Sequence, residues 1–223
     1  MPFVDVPMYM GVVIFLLALF SLYINRKKRL VQFFGVLIFL SLLISFGRNF
    51  PIVYDFFFYF MPFFDKFRVP SMILVLVQLT VPILAGLALY KVISEKDKID
   101  PLTVKIVRYT ASIFSILFIA FLLFNNALGE WFSSRVSAYA ASSSQPRLAQ
   151  QFNALTPFMT DMFVNDTLIA FAISAAAFWF MYLFVVNKIG KDLLMIVLIV
   201  LSTFDLMRVS GRGAHYRESE NLD

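Results

Sequence analysis

With 223 residues, 61 % of them hydrophobic and 15 % charged, and a mean hydropathy of +0.82, the chain is too apolar for a water-soluble domain. The absence of Cys excludes disulfides, thiolate metal sites and a cysteine nucleophile, and a single His argues against histidine metal centres and Ser-His-Asp triads. The net charge of +5 is accounted for by basic loops beside a membrane and asks for no nucleic-acid partner.

A bilayer core about 30 Å thick takes about 20 apolar residues of helix. On that scale the chain reads as all-α, a polytopic membrane helical bundle forming a single membrane domain over 1–223, with about six transmembrane helices. The first span covers 7–24. No basic segment precedes its apolar run and no small-residue cleavage site follows, so it reads as a retained helix rather than a signal peptide. The turn Arg26-Lys27-Lys28-Arg29 separates it from the second span, 30–46.

The connection from Gly47 to Val69 has a different character: nine of the fourteen residues from Tyr54 to Phe67 are aromatic, and Pro51 and Pro62 interrupt it. Aromatic rings with a wet edge concentrate at headgroup level. The expectation is an interfacial helix over about 52–61, in the outer loop between spans 2 and 3. The third span is 70–93. Within it, Gln78 is expected to bond another helix, a substrate contact being the alternative, and Pro82 with Gly86 suggests a kink and a close helix approach.

The fourth span, 107–128, ends near Asn125 and Asn126, which are expected to cap it or face water. A long connection from Gly129 to Asn165 follows, rich in Ser, Ala and Gln, with helix-compatible text around Arg147 to Leu155 and no chemical motif. The fifth span is 167–187 and the sixth 192–209. The sixth is apolar only to Phe204; Asp205 and Arg208, spaced i, i+3, can pair on one helix face and close it without an isolated charge.

Lys and Arg set the orientation. Four follow span 1, five follow span 3 (Lys91, Lys96, Lys98, Lys105, Arg108), and Lys188 and Lys191 follow span 5. The basic links belong in the cytoplasm, which puts both termini and the two long connections outside it. There, Arg48 and Asn49 end span 2, while Asp65, Lys66, Arg68 and Ser71 lead into span 3. Three cations with an amide and a hydroxyl suit a phosphate group. The alternative is that the cations snorkel to lipid headgroups, or that Asp65 pairs with Lys66 or Arg68.

The stretches Ser45-Phe46-Gly47-Arg48-Asn49-Phe50 and Met61-Pro62-Phe63-Phe64-Asp65-Lys66-Phe67-Arg68-Val69-Pro70-Ser71 resemble the bacterial YfhO family of multispanning membrane proteins. Val6-Pro7-Met8-Tyr9-Met10-Gly11 is similar to the family's lead-in to the first of these helices, and Thr80 to Gly86 continues the likeness. Asp205-Leu206-x-x-Val209, then Arg212 and Tyr216, is similar to a family stretch in which the Arg and Tyr are adjacent; here Gly213, Ala214 and His215 separate them. The resemblance implies the fold of integral-membrane C-type glycosyltransferases, which take polyprenyl-phosphate-linked sugars outside the cytoplasm.

It further implies a bacterial cytoplasmic-membrane location and a longer parent protein, of which this chain is an internal portion. The implied partners are membrane lipids, the polyprenyl-phosphate-linked sugar and the remainder of that protein. Arg48, Asn49, Lys66, Arg68 and Ser71 would hold the lipid phosphate, and Asp205 gains weight as a residue facing the outer cavity. The catalytic carboxylate of such enzymes belongs to an earlier outer loop, upstream of Met1. Asp65, beside Lys66 and Arg68, has its ionised form stabilised, which favours pairing over proton abstraction. No catalytic residue, metal or cofactor is therefore assigned. The competing expectation is a non-catalytic lipid-binding, lipid-transporting or scaffold protein.

Overall fold

The computed structural model describes residues 9–46, 59–60, 73–96, 99–142 and 146–211. Among these there is no strand, and six long helices follow one another: α1 (Val12–Ile24), α2 (Arg29–Ser45), α3 (Val75–Ser94), α4 (Pro101–Ser142), α5 (Pro146–Val185) and α6 (Lys191–Ser210). The protein is a helical membrane protein. Four helices, α3 to α6, are long and apolar enough to cross a bilayer, while α1 and α2 are shorter apolar helices of 13 and 17 residues. Of the expected interfacial helix at 52–61, only Tyr59 and Phe60 are described; both are helical and exposed.

At 1.5 Å per residue α1 is about 20 Å long, short of the apolar thickness of a bilayer. Its start is set by Gly11, whose φ of 84° lies in the left-handed region that favours glycine. Of the first span expected at 7–24, Tyr9 to Gly11 are not helical and the helix begins at Val12.

The chain divides into two compact units, one of residues 1–99 with 198–223 and the other of 100–197, the boundary falling within α6. In the first unit α3 packs against both α1 and α2. Its buried stripe runs through Val77, Val81, Leu84, Ala88 and Val92, at the three- and four-residue spacing of one helix face. Ala18 of α1 and Val31 of α2 meet Val77, Val81 and Leu84 in one core cluster. The short turn after α1 makes α1 and α2 antiparallel. Gly35 lets them approach, since a Cβ there would stand 3.1 Å from Leu22 Cδ2.

Pro82 and Gly86 are both on the exposed side of α3, and a Cβ on Gly86 would meet nothing within 4 Å. Within this unit and among the described residues, the close approach expected at Gly86 is not made. Small residues do mediate the packing of α3, but they are Ala85 and Ala88, on the opposite face.

The second unit is dominated by a helical hairpin. The stretch from Gly129 to Asn165, expected as a connection with local helix at 147–155, is instead helical on both sides of residues 143–145. Helix α4 runs 42 residues and α5 runs 40, each well beyond the fourth and fifth spans expected at 107–128 and 167–187. The physical reason is a continuous apolar seam. Phe121 contacts Phe163 and Phe171 edge-on at 6.0 Å, and Phe132 stacks on Phe163 at 4.5 Å with planes 5° apart. Tyr139 meets Phe152 edge-on at 5.7 Å. Aromatic pairs of this kind add about 0.5–1.5 kcal/mol beyond the area they bury, and they hold the polar text around them in helix.

Hydroxyls inside the apolar stretches return to their own helix: Ser115 donates to the Ala111 carbonyl, Thr167 to Phe163 and Ser174 to Ala170. Ser115 in turn accepts from Trp179 Nε1 at 2.9 Å, tying α4 to α5. Helix α5 ends with Asn187 at φ 63°; Lys188 N–H donates to the Leu183 carbonyl and Asn187 N–H to Phe184, the paired bonds of a left-handed helix terminus.

Candidate functional site

The first turn of α1 has no local cap: Gly11 carries no side-chain oxygen, and its position makes no side-chain capping bond. An α-helix leaves its first N–H groups without internal partners, and in an apolar environment water does not serve them. The need is met from the other end of the chain. Asp205 of α6 accepts from the Val12 N–H at 2.8 Å through Oδ2, and from the Tyr9 hydroxyl at 2.6 Å through Oδ1. Its side chain has 0 % exposed surface. The Arg208 guanidinium lies 4.0 Å from Oδ1, one turn further along α6.

Three effects stabilise this buried carboxylate: the partial positive charge of a helix N-terminus, two hydrogen bonds, and a cation. Gly11 fits closely, because a Cβ at that position would be 3.5 Å from Asp205 Oδ2 and 3.7 Å from Leu206 Cδ2. Chemically, both oxygens are engaged and none is open to a substrate. The arrangement locks α6 to α1.

At the opposite end of α1 a second polar clamp joins it to α3. Lys91 Nζ donates to the Ile24 carbonyl at 2.5 Å, and Asn25 Nδ2 donates to the Leu87 carbonyl at 3.2 Å and to Ser21 Oγ at 3.4 Å. A cation on the last carbonyls of a helix opposes the negative end of its dipole. These contacts show that α1 and α3 run parallel. The ends of the chain on either side of 47–72, Phe46 closing α2 and Ile73 preceding α3, therefore lie at the end of this unit where α1 begins. The exposed pair Lys28–Glu95, 3.8 Å apart, contributes little.

Arg48, Asn49, Asp65, Lys66, Arg68 and Ser71 lie outside the described residues. Gln78 is half-buried on α3, and its side chain makes no hydrogen bond to another described residue. Pro82 lies four residues on and supplies no N–H for the Gln78 carbonyl. Asp205 and Arg208 do face each other as their spacing requires, but the shorter contacts of Asp205 are to Tyr9 and Val12. Asn125 and Asn126 fall in the interior of α4 and cap nothing.

The residues that sequence reasoning missed are Tyr9, Gly11, Asn25 and Lys91 as tertiary contacts. One signal was present for the first two: an apolar helix starting after a glycine with no capping side chain, in a chain whose last span carries an aspartate. Compared with family models, with curated proteins and with solved structures, the chain matches none.

Proposed function

We propose that this chain is the membrane-embedded part of a YfhO-like protein of glycosyltransferase type, handling a polyprenyl-phosphate-linked sugar at the extracytoplasmic face of a bacterial cytoplasmic membrane. The observation that carries the reading is the bond from Tyr9 to Asp205. It joins the two separate stretches, Tyr9 to Gly11 and Asp205 to Val209, that share the resemblance with the aromatic Lys-Phe-Arg element. The junction lies at the end of the first unit where α2 ends and α3 begins.

In this reading Arg48, Lys66 and Arg68, with Asn49 and Ser71, bind the lipid phosphate, and the aromatic stretch borders the prenyl chain. Asp205 and Arg208 position α1 and take no part in chemistry. The carboxylate that activates an acceptor belongs to another part of the parent protein. The test is binding of a polyprenyl phosphate to the chain in nanodiscs. Replacing Arg48, Lys66 and Arg68 together by Gln is expected to abolish saturable binding while leaving helix content unchanged; undiminished binding refutes the phosphate role.

The second reading is a non-catalytic lipid-binding, lipid-transporting or scaffold protein. It is favoured by the full engagement of Asp205, which leaves no buried carboxylate open to a substrate among the described residues. Sugar transfer by the parent protein from a lipid-linked donor separates the two: turnover supports the first and its absence, with binding intact, supports the second.

A further inference from the structure

Beside the phenylalanine seam of the α4–α5 hairpin lies an open groove of about 610 Å³, within the range of small-molecule sites. Helix α4 contributes Asn125, Asn126, Glu130 and Ser133, at spacings of 1, 4 and 3 residues that put them on one face. Helix α5 contributes Thr160 and Asp161, with Pro157 and Val164 one turn to either side. The helices come close here at Gly129, where a Cβ would stand 3.4 Å from Thr160 Cγ2.

Packing alone does not ask for this chemistry, since the adjacent seam is aromatic and apolar. The side chains of Asn125, Asn126, Glu130 and Ser133 make no hydrogen bond to any described residue. Asp161 accepts only from Asn165, at 3.0 Å through Oδ1, and Thr160 spends its proton on the Thr156 carbonyl, which leaves its oxygen lone pairs. The groove therefore presents two carboxylates, two carboxamides and two hydroxyls.

The lining narrows the ligand. Among the described residues no Lys or Arg borders the groove, and its two carboxylates disfavour a phosphate or other anion. Among the described residues no three carboxylates or imidazoles gather as a metal site would need. Carboxylates accept from hydroxyls, and a carboxamide both donates and accepts, so adjacent hydroxyls on one ring are matched at both proton and lone pair. Pro157 and Val164 offer apolar surface for the C–H face of such a ring.

We infer that this groove is a carbohydrate-binding site, taking a neutral polyhydroxylated ring through Glu130, Asp161, Asn125 and Asn126. The inference does not depend on the lipid-phosphate reading. Both carboxylates are exposed, so replacing them leaves the hairpin core untouched.

The test is calorimetric titration of the whole chain in nanodiscs. Its probes are a panel of neutral trisaccharides up to about 10 mM, the same discs doped with a diglucosyl lipid, and calcium chloride alone. Saturable binding of a trisaccharide, or of the chain to the glycolipid, is expected, the first marking a free sugar as the source and the second a headgroup. The paired change Glu130→Gln and Asp161→Asn should weaken it about tenfold or more, and Asn126→Leu should do the same by removing the carboxamide's hydrogen bonds, both at unchanged helix content and melting temperature. No binding to either sugar source overturns the inference. So does binding unaffected by these variants, or binding of calcium in place of sugar.

Discussion

The Tyr9 hydroxyl and Asp205 Oδ1 stand 2.6 Å apart across 196 positions of sequence, and the same carboxylate reaches the Val12 N–H through its other oxygen. A helix that begins short of the full bilayer thickness is thereby capped by a residue from the last helix. Sequence-distant capping of this kind makes the end of α6 part of the condition for α1 to form.

Removing the carboxylate should be costly. Asp205→Ala removes the Arg208–Asp205 contact and leaves the first turn of α1 without its acceptor, and breaking a buried pair from one side costs about 3–5 kcal/mol. Tyr9→Phe removes one hydrogen bond to a charged acceptor, about 1.5–3 kcal/mol. Unfolding in mixed micelles of the two single variants and the double variant should show strong coupling, with Tyr9→Phe nearly silent once Asp205 is gone. Additive losses would mean that the two residues act separately.

Two glycines should respond in opposite directions. Gly11→Ala puts a side chain at φ 84°, in the left-handed region that L side chains disfavour, so it should destabilise by about 1–2 kcal/mol. Gly86→Ala fills open space on the exposed face of a helix and should stabilise by about 0.5–1 kcal/mol. The same unfolding assay reads both; a stabilising Gly11→Ala would disprove the strained capping geometry.

These two positions show what was legible. Hydropathy located the six long helices among the described residues, because apolar runs near bilayer length have few other solutions. It misjudged Gly86, since small residues in a membrane helix mark close approach only on the packed face, and the stripe through Val77, Val81 and Leu84 lies on another. The Ser-, Ala- and Gln-rich text from Gly129 to Asn165 hid a helix because its apolar residues are sparse. The seam becomes visible only when Phe132 is set against Phe163 and Tyr139 against Phe152, pairs on opposite arms of the hairpin. Asp205 and Arg208 were legible as an i, i+3 pair; Tyr9 and Val12 as their neighbours were not, because nothing local brings the two chain ends together.

At the other end of α1, Lys91→Met should cost about 1.5–3 kcal/mol, the range for a hydrogen bond to a charged group, because it strips the Ile24 carbonyl of its donor. Lys27→Met, on the exposed turn nearby, removes the same charge without that contact and should change stability by no more than about 0.5 kcal/mol. Equal effects from the two would assign the role to net charge rather than to the clamp.

The length of the hairpin predicts an experiment on orientation. Helix α4 has 42 residues, about 63 Å, roughly twice what a bilayer core requires. Lys105 and Arg108 lie near its N-terminal end, and the uncharged stretch that follows ends at Leu128, before Glu130 and Arg135, so the half that leaves the membrane is the half after Leu128. If the basic links face the cytoplasm, the distal hairpin stands in the extracytoplasmic space. The chain has no Cys, so single introduced thiols report without background. In intact cells, Gln150→Cys should react with a membrane-impermeant maleimide, whereas Lys27→Cys and Lys188→Cys, both at exposed positions in basic turns, should react only after permeabilisation. The reverse pattern would place the Tyr9–Asp205 junction on the cytoplasmic side and remove the basis for assigning Arg48, Lys66 and Arg68 to an extracytoplasmic lipid phosphate.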